Sequence, residues 1–82
     1  MPTAFVFITT EPASMPEVLE EIKAIDGVEE AEMVYGVYDI VVKVNVKNLE
    51  QLHNLTSQLH KVNGVERTNT QVIEKECKSL SR

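Results

Sequence analysis

One short pattern occurs twice and constrains the fold more than any other feature. Ile25-Asp26-Gly27-Val28-Glu29 and Val62-Asn63-Gly64-Val65-Glu66 lie 37 residues apart in a chain of 82. At the same offset Ile22 aligns with Leu59, and Phe5 and Phe7 align with Val42 and Val44. Each half also changes its apolar period in the same order, from about 2 to about 3.6 and back to 2, which is the signature of strand, helix, strand. Two βαβ halves in so few residues leave room for one domain only. Right-handed crossovers then put both helices on one face of a four-stranded antiparallel sheet. The expected class is therefore α+β, a ferredoxin-like βαββαβ domain over residues 1–76, followed by a polar tail at 77–82.

The elements can be placed along the chain. Thr3–Thr9 is a strand that is apolar on both faces, with Phe5 and Phe7 on one and Ala4, Val6 and Ile8 on the other. Ser14-Met15-Pro16-Glu17 reads as a capping box that starts a helix with Met15, Val18, Leu19, Ile22 and Ile25 on its apolar stripe. Gly27 ends it. Glu29–Gly36 and Tyr38–Val46 read as a hairpin joined by a tight turn at Gly36-Val37. Asn48 and Gln51 start a second helix with Leu49, Leu52, Leu55, Leu59 and Val62 inward, and Val65–Glu74 is the last strand. Two helices can cover only one side of this sheet. The apolar second face of the first strand thus calls for a symmetric dimer packed sheet to sheet.

Charge and motifs exclude several functions. The 8 Lys and Arg stand against 13 Asp and Glu, for a net charge of −5. That field disfavours direct binding of nucleic acid or anionic membranes. The apolar runs are far too short to span a bilayer, and a single cysteine, Cys77, suits a cytoplasmic protein. There is no glycine-rich phosphate loop and no Cys-x-x-Cys after the first strand, so neither cofactor nor metal is expected. His53 and His60 lie seven apart, not the four that lets two imidazoles share an ion, and read as surface residues. No catalytic residue is expected.

Two segments stand out as candidate binding residues. Tyr35-Gly36-Val37-Tyr38-Asp39 combines a bend, two aromatic rings and a carboxylate at the start of an apolar strand. Asp39 could accept turn N–H groups or bind a ligand ammonium. Arg67-Thr68-Asn69-Thr70-Gln71 puts five hydrogen-bonding residues in one strand. Thr68 and Thr70 fall at the repeat positions of Ala31 and Met33, so they either face solvent or answer a polar requirement.

Gly36-x-Tyr38-Asp39-Ile40, together with Val62-x-Gly64-Val65-x-Arg67-Thr68-x-Thr70 and the opening Ala4-Phe5-Val6-Phe7-Ile8, closely resembles the effector-binding (RAM) domain of the leucine-responsive regulatory protein/AsnC family. The resemblance covers about Thr3 to Glu74. It implies dimers that assemble further into octamers or decamers, with an amino-acid effector bound between dimers. Effector contact by Gly36, Val37, Tyr38, Asp39, Thr68 and Thr70 is implied in the same way. Family transcription factors carry an N-terminal helix-turn-helix domain, whereas the resemblance here starts at Thr3. The expectation is a stand-alone form without direct DNA binding that co-assembles with full-length regulators. Three other readings remain: a structural co-assembly module without ligand, a small dimeric ferredoxin-like enzyme, and an ACT-type regulatory domain.

Overall fold

The computed structural model describes residues 3–73. It contains β1 (Thr3–Thr10), a 3-10 turn (Pro12–Ser14), α1 (Met15–Lys23), β2 (Val28–Met33), β3 (Ile40–Asn45), α2 (Leu49–Lys61) and β4 (Val65–Ile73). The strands form one antiparallel sheet in the order β2-β3-β1-β4. This is the βαββαβ ferredoxin-like arrangement. The tail at 77–82 lies outside the described residues.

Strict alternation on β1 decides which face holds the core. Ala4, Val6 and Ile8 are buried, and their partners across β3 are Val44, Val42 and Ile40, also buried. Directly opposed residues share a face, so these six form the floor of the core. Val18 and Ile22 of α1 and Leu52, Leu55 and Leu59 of α2 close it from above. Helix α1 packs over β2 and α2 over β4. Phe5, Phe7 and Val41 point to the opposite, helix-free face and stay half-buried.

The repeat holds at the helix exits and slips in the strands. Gly27 and Gly64 both have positive φ, and each carbonyl accepts an amide from the other half: Asn45 N donates to Gly27 O and Glu11 N to Gly64 O. However, Val42 and Val44 face the helices while Phe5 and Phe7 face away. Since Glu11 takes the place of Asn45 in these bonds, the structural equivalents of Val42 and Val44 in β1 are Ile8 and Thr10. Side chains alternate with period 2, so the odd difference between this offset and 37 exchanges the faces.

Local signals fared unevenly. Asn48 caps α2 through Gln51 N at 2.7 Å, while the Gln51 carboxamide oxygen accepts Lys47 N, one residue earlier than a capping box requires. Ser14 does not cap α1 with its side chain, because a 3-10 turn already leads into the helix and the Ser14 side chain packs beside Gly64. Leu49, the first residue of α2, is 68% exposed and stays outside the core. The connection between β2 and β3 is also longer than a tight turn. It runs from Val34 to Asp39, closed by Val34 N donating to Asp39 O.

Gly64 makes the sharpest stability prediction. A Cβ there would lie 2.8 Å from Val18 Cγ2 and 2.9 Å from Ser14 Cβ, at φ +103°. Gly64→Ala is expected to cost about 3 kcal/mol, combining positive-φ strain with overpacking, read as a lower urea midpoint at unchanged m-value. Gly36→Ala has open space around it and costs only the backbone part, about 1–2 kcal/mol.

Candidate functional site

Asp39 and Thr68 flank the end of β1, with Gly36 and Val37 on the adjoining β2–β3 connection and Thr70 further along β4. Asp39 N donates to Ile8 O on the β3 side, and Thr68 pairs with Ile8 on the β4 side. Two strand spacings therefore separate Asp39 from Thr68, roughly 10 Å. Thr70, opposite Val6, lies two residues further along β4.

Asp39 has a structural duty. Its Oδ2 accepts the Thr10 amide at 2.8 Å, at the point where β1 leaves its register with β4 between Thr9 and Thr10. Thr10 is 4% exposed, and its amide would otherwise be a part-buried donor without an acceptor. Both readings of Asp39 survive this contact, because a carboxylate has two oxygens and about four acceptor positions. Thr10 Oγ1 is itself buried without a hydrogen-bond partner among the described residues.

Tyr38 goes to the helix-free face, where its ring sits 5.3 Å from that of Phe7 at 40°. Gly36 and Val37 form the exposed tip of the β2–β3 connection; Val37 is 84% exposed and Tyr35 fully so. Within Arg67–Gln71 the strand divides the work. Thr68 and Thr70 turn toward the helices, while Arg67, Asn69 and Gln71 lie on the open face, where Gln71 donates to Asn69 at 2.8 Å. Thr68 meets a residue that the sequence marked only as surface: His60 Nδ1 lies 3.3 Å from Thr68 Oγ1. Spacing along one helix could not disclose that contact, because it crosses from α2 to β4.

A cavity of about 270 Å³ opens between α2 and the turn that follows α1, lined by Asp26, Gly27, Val46, Gln51, Asn54, Leu55 and Gln58. None of the six candidates borders it. Among the described residues no group of three or more His, Cys, Asp or Glu could hold a metal ion. No described helix is long and apolar enough to cross a membrane.

A four-stranded antiparallel sheet with both helices on one face defines a ferredoxin-like α+β domain. Comparison with known proteins names its kind. The family model described as the Lrp/AsnC ligand binding domain matches residues 3–82, and the chain belongs to the Lrp/AsnC family. The HTH-type transcriptional regulator FL11 of Pyrococcus furiosus is 32% identical over 72 residues, covering 88% of this chain and 48% of the regulator. The solved structure of TTHA0845 from Thermus thermophilus superposes with a TM-score of 0.90 at 33% identity, covering 94% of this chain and 98% of that one. E. coli AsnC gives a TM-score of 0.83 at 25% identity over 92% of this chain and 52% of AsnC. The chain thus spans about half the length of the curated regulators it matches.

Proposed function

We propose that this chain is a cytoplasmic, non-enzymatic effector module that binds an amino acid between copies of itself and so couples ligand level to assembly. One observation carries the reading: Asp39 and Thr68 flank the same end of β1 two strand spacings apart, a span that a second copy would close over. Asp39 would hold the ligand ammonium with the oxygen directed away from Thr10. Turn amides at Gly36 and Val37 and the hydroxyls of Thr68 and Thr70 would serve the ligand carboxylate.

The open face supports a dimer as the first step of assembly. Phe5, Phe7, Val41 and Tyr38 give it an apolar centre, flanked by Glu30 and Glu32 on β2 and by Arg67, Asn69 and Gln71 on β4. A two-fold axis parallel to the strands stacks β2 of one copy over β4 of the other. An axis across the strands would instead stack Glu30 over Glu32, like charge on like. The first arrangement is favoured. The same face would admit relatives that carry a DNA-binding portion, which is how such a module would act on transcription without binding DNA itself.

The test is a thermal-shift screen of the twenty amino acids, with mass by light scattering. Stabilisation by one or two of them with a change in assembly size is the expected outcome. A stable dimer indifferent to all twenty would sink effector binding and leave the structural co-assembly reading.

A further inference from the structure

His60 stands one hydrogen bond from the candidate site. Its Nδ1 lies 3.3 Å from Thr68 Oγ1, across the contact between the last turn of α2 and β4. His60 is exposed and Thr68 half-buried, so the pair is reachable from solvent. A threonine hydroxyl has a single proton, and its partner decides where that proton points. A neutral imidazole bare at Nδ1 accepts the Thr68 proton, which leaves Thr68 only lone pairs to offer. An imidazolium has N–H at both ring nitrogens and can only donate to Thr68. The Thr68 proton is then free to turn toward an incoming carboxylate.

We propose that His60 is a positioning residue for recognition of the effector carboxylate: in its protonated form it donates to Thr68 Oγ1 and releases the Thr68 hydroxyl as a donor. This rests on the reading that Thr68 contacts the effector. Histidine as a side-chain class changes charge between about pH 5 and 8, which sets the two pH values of the test. The charged or titratable groups adjacent along the two elements are Lys61 and, two turns back, His53 on α2, with Glu66 and Arg67 on β4. Arg67 pairs with Thr9 and lies on the opposite face of the sheet. Glu66 is the carboxylate at the start of β4, and Lys61 the cation beside His60 in the chain. Neither alters the direction of the effect, because the rule that an imidazolium only donates does not depend on the neighbours.

Calorimetric titration of the chain with each of the twenty L-amino acids at pH 5.5 and 7.5 tests the idea. For the amino acid that binds, affinity is expected to be about five- to tenfold higher at pH 5.5, the gain expected when a donor is freed beside a cation. His60→Gln should flatten that difference, Thr68→Ser should keep it, and His53→Gln should leave it unchanged. Binding that is equally tight at both pH values, or a His60→Gln variant that keeps the difference, overturns the role of His60 and leaves effector binding standing. Absence of binding by the wild-type chain at both pH values overturns the effector reading itself, and the proposal with it.

Discussion

Phe7→Glu is expected to turn the assembly into a folded monomer. Phe7 lies at the centre of the helix-free face, beside Val41 and Asn69 in register and against the Tyr38 ring. It faces away from the core built on Ala4, Val6 and Ile8, so the single chain should keep its helical content and cooperative unfolding. In a sheet-to-sheet dimer the change removes two aromatic side chains, each contributing about 1.5–3 kcal/mol when buried. It also places two carboxylates in the interface without partners, at several kcal/mol each. Association should weaken by more than about a thousandfold, which light scattering reads as the mass of one chain at micromolar concentration. Leu49→Glu makes the same kind of change on the helix side, at a residue already 68% exposed, and should leave the dimer intact. A Phe7→Glu chain that keeps wild-type mass would show that the open face is not the interface.

How much of this could be read from the residues alone depends on how far each interaction reaches along the chain. Alternation on β1, the positive-φ glycines at the helix exits and the Asn48 cap involve neighbours within a few positions, and all were legible. The face assigned to Phe5 and Phe7 relative to Val42 and Val44 was not, because a repeat aligned at the helix exits carries no information about an odd slip in the strands. Leu49 matched the apolar spacing of α2 but is exposed in the first turn of the helix. The candidate residues could be singled out in the sequence, but the contacts they make could not. Asp39 finds the Thr10 amide 29 positions away, and His60 finds Thr68 across a turn and an element boundary. Those contacts are set by sheet order and helix docking, which periodicity leaves open.

The Thr10 contact changes what mutation of Asp39 can report. Asp39→Ala removes the acceptor of a part-buried amide, at about 1–3 kcal/mol, and should lower the melting temperature on the order of 10 °C in a domain this small. Lost effector response in that variant would confuse damage with recognition. Asp39→Asn separates the two, because its carboxamide oxygen can still accept from Thr10 N while the charge is gone. Stability should stay within about 1 kcal/mol of wild type, since one neutral acceptor replaces a charged one. An effector ammonium, in contrast, loses its counter-charge, and affinity should fall at least about thirtyfold, the equivalent of ~2 kcal/mol. Calorimetry with the amino acid found in the screen, beside a thermal melt of each variant, reads both quantities. Wild-type affinity in Asp39→Asn would confine this carboxylate to holding the end of β1, and the ammonium would have to be met elsewhere between the copies.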